Sequence, residues 1–175
     1  MKKAKLTAFC GMMVALSVVL MALVTVLPVL MYVLPVVTGL IVLVVADVGS
    51  KKWALSVFFA TSLLSLVLLT DKESVLTYIL FFGYYPLVRG DLSKLPKALF
   101  VALKFVLFNC AAVLTGFAGV LLFGVPKEEY TEFGKLTIPL LLGLANVVFV
   151  LYDILLVRYK ILFSALSGRL KKLLK

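Results

Sequence analysis

The sequence contains no histidine, and this absence removes the side chain that most often serves as a general base or a metal ligand in proteins. Cysteine is scarce too. Its two residues, Cys10 and Cys110, lie far apart inside apolar segments and match neither a metal-binding spacing nor a redox pair. The chain also lacks a glycine-rich phosphate loop and a serine nucleophile elbow. These absences predict that the chain is not an enzyme and holds no cofactor, so any nucleotide chemistry must belong to another chain.

Acidic residues are few, since 8 Asp and Glu stand against 18 Lys and Arg and the formal net charge is +10. Such an excess can indicate nucleic-acid binding, but in a membrane chain it more often reflects orientation and contact with anionic lipid. The abundant class is the apolar one, because 64% of the 175 residues are hydrophobic. We therefore expect one all-α membrane domain over residues 1–175, with anionic lipid and not nucleic acid among its partners.

Apolar runs divide the chain into six candidate membrane-spanning helices. The first run carries no charge from Leu6 to Leu27, and at about 1.5 Å per residue it is long enough to cross a bilayer core. It is too long for the core of a signal peptide and no cleavage site follows it, so we expect it to remain as a membrane helix. The six predicted spans are residues 6–27, 29–46, 53–70, 74–88, 98–124 and 136–158.

The distribution of lysine and arginine predicts the orientation of these spans. With six spans and the N-terminus inside, almost all cations lie on the inner side, and only Lys72, Lys127 and Lys135 lie outside. The positive-inside rule therefore predicts a multi-pass protein of the cell membrane with both termini in the cytoplasm. Leucines at helical spacing within residues 161–175 predict a short basic amphipathic helix on the cytoplasmic surface.

Small residues recur along one face of the first helix. Ala4, Ala8, Gly11 and Ala15 follow one another at helical spacing, which places them on a single stripe. In lipid, such a stripe lets the backbone of another helix approach closely. Two interpretations remain open: the stripe packs against other helices of this chain, or it docks a different protein.

Polar side chains within the predicted spans are energetically costly in lipid, so each one indicates a structural or functional role. Asn109 and Asn146 lie near the middle of the fifth and sixth spans, where they could hydrogen-bond each other or hold the polar edge of a ligand. Lys104 and Asp153 lie nearer the inner ends of the same helices, and we expect them to form a structural ion pair there. A proton-coupling role for Asp153 stays open.

The fourth predicted span differs at its two ends. Its inner end is aromatic, and Pro86 should free a backbone carbonyl one turn earlier and kink the helix. Its outer end carries Glu73, Thr77 and Tyr78, on the side from which an external ligand would arrive. Thr115 lies at the outer end of the neighbouring fifth span.

A small six-span chain with basic ends, no ATPase of its own and an alanine–glycine stripe on its first helix resembles the substrate-binding (S) components of energy-coupling factor (ECF) transporters. The motif positions in this sequence are Ala4, Ala8, Gly11 and Ala15, with Gly11 where alanine is usual. The resemblance implies a subunit that binds a vitamin-like micronutrient from outside. It also implies, as partners, a transmembrane coupling subunit that docks on the stripe and the ATPase subunits that drive it.

On that resemblance, the ligand cavity opens outward between the later helices, and the first loop, residues 29–34, could act as its lid. Few charges at this depth imply a small, largely apolar ligand held by a few hydrogen bonds. The candidate substrate-binding residues are Glu73, Thr77, Tyr78, Asn109, Thr115 and Asn146. The alternative is a non-transporting membrane scaffold or assembly factor that binds a partner through its first helix, and an outward cavity would discriminate between the two.

Overall fold

The structure of the protein, a computed structural model, describes residues 3–124 and 137–173, and at residues 123 and 160–173 it describes the backbone alone. Every regular element in these ranges is helical. A turn of 3-10 helix at Leu23–Thr25 extends the first helix, and a second turn follows at Pro28–Leu30. The α-helices are α1 Lys3–Ala22, α2 Val33–Val48, α3 Lys51–Leu68, α4 Lys72–Thr77, α5 Tyr85–Leu92, α6 Lys97–Phe123 and α7 Thr137–Leu173.

Four stretches of this bundle are long and apolar enough to cross a membrane: Lys3–Thr25, Lys51–Leu68, Lys97–Leu122 and Thr137–Tyr159. Large apolar side chains on their outer faces, Phe59 among them, are exposed and suited to contact with lipid. The predicted class, an all-α membrane protein, is confirmed at this level. The other two predicted spans correspond to shorter helices.

One of these shorter helices, α2, lies at the centre of the bundle. It has 16 residues and contacts α1, α3, α4, α5 and α7. It begins at Val33, four residues later than predicted, because the chain from Pro28 first forms a 3-10 turn. Gly39 lies at a close approach of α2 to its neighbours, since a Cβ atom there would clash with the Phe82 carbonyl oxygen.

The second shorter element, predicted as one span over residues 74–88, is broken into three pieces. α4 runs into a π-helical segment, Tyr78–Phe82, and α5 begins after a turn at Gly83 and Tyr84. Pro86 has no N–H, so it cannot bond the Phe82 carbonyl, and the Tyr152 hydroxyl donates to that carbonyl at 3.0 Å instead. Pro86 was expected to kink one continuous helix, whereas the helix is interrupted at Gly83 and Tyr84, and a hydrogen bond from α7 satisfies the unpaired carbonyl.

Buried apolar residues form two clusters on either side of α2. The first joins α1, α2 and α3, includes single residues of α4, the π-helical segment and α5, and is largely aliphatic. The second joins α2 to α5, α6 and α7 and is dominated by aromatic rings, which pack in stacked and edge-to-face pairs. The rings of the second cluster are Phe81, Phe82, Tyr85, Phe108, Phe149, Tyr152 and Tyr159.

The C-terminal segment corrects one detail of the prediction. Residues 161–175 were expected to form a separate short helix, but α7 continues without a break to Leu173. Its 37 residues correspond to about 55 Å, well beyond the thickness of a bilayer core. The acidic stretch after α6, with Lys127 and Lys135, lies outside the described residues, as does the start of the sixth predicted span at residue 136.

Candidate ligand-binding site

A cavity of about 540 Å³ lies between α4, α6 and α7. Its walls come from the start of α4, the C-terminal half of α6 and the N-terminal half of α7, together with the π-helical segment. These parts share one end of the bundle. The opposite end carries the turns at Gly49 and Ser93 and the described cations Lys51, Lys94 and Lys97, so the cavity lies toward the end with few described positive charges.

The inner part of the cavity is aromatic. Phe81, Phe82 and Phe108 line it, and the Phe81 and Phe108 rings meet edge to face with centroids 5.0 Å apart. Beneath them, Phe108 stacks on Phe149 at 4.7 Å. The aromatic cluster therefore forms the floor of the cavity, and the π-helical segment supplies two adjacent rings to it. Sequence reasoning missed these rings, although the pair of phenylalanines before Gly83 was a usable signal.

Three of the six predicted ligand residues line the cavity: Glu73, Thr77 and Thr115. The Thr77 hydroxyl donates to the Glu73 carbonyl at 2.8 Å, and the Thr115 hydroxyl donates to the Ala111 carbonyl at 2.9 Å. Each threonine hydroxyl thus donates its proton to a backbone carbonyl of its own helix. The oxygen atom of each hydroxyl can still accept a hydrogen bond.

Tyr32, which was not predicted individually, also lines the cavity. It belongs to the first loop, which was expected to act as a lid, and its hydroxyl donates to Glu73 Oε1 at 3.2 Å. This bond ties the connection between α1 and α2 to the start of α4. Val29 of the same loop is 92% exposed, whereas Tyr32 lines the cavity, and the expected role of the loop as a lid stays a prediction.

The structure places the other three predicted ligand residues elsewhere. Asn109 donates to Asn146 Oδ1 at 3.1 Å, and Asn146 donates back to Asn109 Oδ1 at 3.0 Å. Each amide also donates to the carbonyl four residues earlier in its own helix, so all four N–H groups are used. The two amides therefore bond each other and hold α6 and α7 together, which is one of the two interpretations left open. Neither amide lines the cavity.

Tyr78 is likewise absent from the cavity wall. Its ring is fully buried and lies 5.7 Å from the Phe58 ring, within the cluster that joins α1, α2 and α3. The π-helical segment explains the difference, because it directs Phe81 and Phe82 toward the cavity while Tyr78 packs on the opposite side. The wider turn of this segment was not visible in the sequence.

The small-residue stripe of α1 is exposed along its length. Ala4, Ala8, Gly11 and Ala15 all lie on the surface, and a Cβ atom built on Gly11 meets no atom within 4 Å. α1 packs against the other helices through a different face, the one that carries the buried residue Phe9. The interpretation in which the stripe packs within the chain therefore finds no support among the described helices.

At the opposite end from the cavity, Asp153 collects three hydrogen bonds. Lys104 Nζ donates to its Oδ2 at 2.8 Å, which is the predicted ion pair, while Arg89 Nε and the Tyr85 hydroxyl donate to Oδ1 at 2.6 and 2.9 Å. The cluster joins α5, α6 and α7 beneath the aromatic floor. Arg89 and Tyr85 were missed, although their spacing of four residues puts them on one face of α5.

A second, exposed ionic group lies at this end. Asp91 accepts hydrogen bonds from Lys51 and, at 3.0 Å, from Lys94. These two ammonium groups lower the pKa of Asp91 to about 2. The group connects the start of α3 to the end of α5 at the surface.

In comparisons with known proteins, no family model, no curated protein and no solved structure matches the chain. The functional interpretation therefore depends on the geometry of the cavity, the stripe and the charged end of the bundle.

Proposed function

We propose that the chain is a membrane-embedded binding subunit for the uptake of a small, largely apolar, vitamin-like micronutrient. A separate coupling subunit with its ATPase subunits supplies the energy, as in ECF transporters, whose S components the sequence resembles. The observation that carries the proposal is the cavity of about 540 Å³ at the end of the bundle with few cations. A tightly packed scaffold has no need of such a cavity.

The size and chemistry of the cavity support a small ligand. Ligand pockets are typically about 300–1,000 Å³, with mostly apolar walls and a few polar groups that fix orientation. Here the rings of Phe81, Phe82 and Phe108 form the floor, and Glu73 and Thr115 are among the few polar residues of the wall. An apolar or aromatic body fits this distribution best.

In the proposed topology, the chain crosses the cell membrane six times with both termini in the cytoplasm. α2 and the broken element from α4 to α5 make two of the crossings, since their short helices are enclosed by the longer ones. The basic residues at the Lys51, Arg89 and Lys94 end then face the cytoplasm and anionic lipid. The cavity consequently opens to the outside, where a nutrient is captured.

The exposed stripe of α1 supports the proposed partner. Ala4, Ala8, Gly11 and Ala15 offer a smooth strip on the membrane-facing surface, and close approach of another helix is favoured where side chains are small. The stripe lies on α1, whereas the cavity lies between α4, α6 and α7. Docking of a coupling subunit therefore leaves the binding site accessible.

The proposal is tested by identifying small molecules released from the purified protein by mass spectrometry. Ala112→Trp places a large ring in the cavity, and we expect it to reduce the released ligand at least about tenfold, because the ring occupies ligand volume. Val106→Trp, on the exposed face of the same helix, is the matched control and should release as much as the wild type.

The control separates loss of the cavity from a general effect of tryptophan on folding. A wild-type protein that retains no small molecule contradicts the proposal, and so does equal release from the Ala112→Trp protein.

A further inference from the structure

The residues of the cavity wall differ sharply in their exposure. Phe81 and Phe108 of the floor are only 2% and 5% exposed, so contact with the cavity by itself exposes a side chain very little. Val113 and Phe117 of α6 and Leu144 of α7 also line the cavity, yet they are 57%, 63% and 66% exposed. The same side chains thus lie on the cavity wall and on the outer surface, and the cavity reaches that surface between α6 and α7.

This opening lies within the membrane-spanning part of the two helices. Val113 and Leu144 are nine and seven residues from the nearer ends of their apolar stretches, Leu122 and Thr137. At about 1.5 Å per residue, they lie about 10–14 Å below those ends, and the hydrocarbon half of one leaflet is about 15 Å thick. In a membrane crossed by these helices, the opening therefore faces lipid tails.

The paired amides mark the inner limit of the opening. Asn109 lies one helical turn before Val113, and its hydrogen bonds with Asn146, at 3.1 and 3.0 Å, hold α6 and α7 together directly beneath the opening. On the other side of this pair lies the Asp153 cluster. The two helices are thus joined near mid-membrane and enclose the cavity above the joint.

Polar and apolar parts of the described wall lie on different sides of the cavity. Tyr32, Glu73 and Thr77 belong to the side of α4 and the first loop, and Thr115 belongs to α6. All described wall residues of α7 are apolar: Ile138, Leu141, Leu142, Leu144, Ala145 and Val148. A ligand between these sides meets polar groups on one side and hydrocarbon on the other, as a compound with a polar head and an apolar tail requires.

We infer that the ligand is a lipid-soluble amphiphile, with a polar head and a flexible hydrocarbon tail, that enters the cavity sideways from the membrane between α6 and α7. The inference rests on the proposed function and names the ligand class and entry route for the same site. The head lies toward Glu73 and Thr77, and the tail passes Val113 and Leu144 into the lipid. Such a compound is concentrated in the bilayer, because burial of each methylene group favours its transfer from water.

The test places the purified full-length protein in phosphatidylcholine vesicles that contain hexadecanol with a photoreactive diazirine in the middle of its chain. After illumination, the labelled residues are identified by mass spectrometry of peptides. We expect label on Phe81 and Phe108 of the cavity floor. Val45 and Val57, which are equally buried but lie in the aliphatic cluster, should remain unlabelled.

Two tryptophan variants on α6 test the entry route. Val113→Trp places a large ring at the opening, and we expect it to reduce the label on Phe81 and Phe108 at least about fivefold, because the ring fills the space through which the tail passes. Leu114→Trp is the matched control, since Leu114 is also exposed but does not belong to the described cavity wall. It should leave the label on the floor unchanged.

The other outcomes contradict the inference in distinguishable ways. An unlabelled floor, or equal floor label in the two variants, contradicts entry from the membrane, and release of a water-soluble ligand from the purified protein contradicts the ligand class. The proposed function stands in these cases as long as the protein releases a small molecule that is not a bulk phospholipid. An unlabelled floor together with no released molecule contradicts both, and so does release of bulk phospholipid alone, which would make the cavity a lipid-filled recess.

Discussion

At the scale of single residues, the buried charge in the described part of the bundle lies around one carboxylate. Asp153 is buried and receives hydrogen bonds from Lys104, Arg89 and Tyr85. A buried charge is costly unless it is paired and its remaining lone pairs are satisfied, and here three donors satisfy them. Lys104 also lies 5.3 Å from the centre of the Phe100 ring, so its charge is further stabilised.

We expect neutralising Asp153 and neutralising Lys104 to lower the stability of the protein by different amounts. Asp153→Asn leaves two partly buried cations without their anion, and we expect it to destabilise the protein by about 3–5 kcal/mol. Lys104→Met leaves the pair of Arg89 with Asp153 intact and should cost clearly less. Thermal unfolding in detergent measures both, and a Lys104→Met protein as unstable as Asp153→Asn would refute a cluster centred on the carboxylate.

The exposed acid at the same end gives a prediction for pH. The pKa of Asp91 is lowered to about 2, so its contribution to stability is present above the pKa of the unfolded chain, about 3.9, and is lost as pH falls toward 2. Replacing Lys51 by methionine removes one of the two ammonium groups, and the pKa should rise toward its ordinary value. NMR titration of the Asp91 carboxyl measures this change. An unchanged titration in the variant would show that Lys51 does not act on it.

The ion pair of Lys104 and Asp153 could be predicted because helical rise alone places both residues at similar depth. The roles of Arg89 and Tyr85 could not, since they depend on where α5 begins after the break. The amides of Asn109 and Asn146 were predictable as a matched pair. Whether the amides pair or bind a ligand depends on how each helix is rotated about its axis, and hydropathy does not predict that rotation.

At the scale of elements, α2, α7 and the broken helix meet in a closely packed joint around Gly39, Phe82 and Tyr152. Pro86 leaves the Phe82 carbonyl without its helical partner, and the Tyr152 hydroxyl takes the vacant place at 3.0 Å. Gly39 lets α2 approach both, since a Cβ atom there would lie 2.6 Å from the Tyr152 hydroxyl. The joint holds the π-helical segment in position, and with it Phe81 and Phe82 at the cavity floor.

Gly39→Ala should therefore destabilise the protein by roughly 1–3 kcal/mol or more, because the new methyl group meets a backbone carbonyl that cannot move independently. Gly143→Ala is the matched control, since a Cβ atom at that helical glycine meets nothing within 4 Å. Unfolding midpoints in detergent compare the two. Equal midpoints for the two variants would show that the joint is not tightly packed.

Most element boundaries followed from apolar run length and charge. The exceptions were α2, whose start was shifted by the 3-10 turn at Pro28, the fourth predicted span, which is divided into three elements, and the C-terminal helix, which continues α7. Pro86 predicted a kink in that span rather than a full interruption. The π-helical turn before it was beyond sequence reasoning, because it depends on packing against α2 and α6.

At the scale of the whole molecule, two opposite ends have different chemistry. One end holds the cavity with Glu73, and the other holds the Asp153 cluster and the exposed lysines. The aromatic floor separates them. The charge distribution of the sequence predicted this difference between the ends. Three of the six residues that the sequence suggested for ligand binding, Glu73, Thr77 and Thr115, line the cavity. The sequence could not predict the cavity, which depends on how α4, α6 and α7 are spaced.

The central claim, that the cavity end faces outward, is tested most directly by labelling single cysteines in intact cells with a membrane-impermeant thiol reagent. With Cys10 and Cys110 replaced by alanine, exposed Thr70→Cys marks the cavity end and exposed Ser93→Cys marks the other end. The account predicts that Thr70→Cys is labelled from outside, whereas Ser93→Cys is labelled only after the cells are permeabilised. The reverse pattern would contradict it.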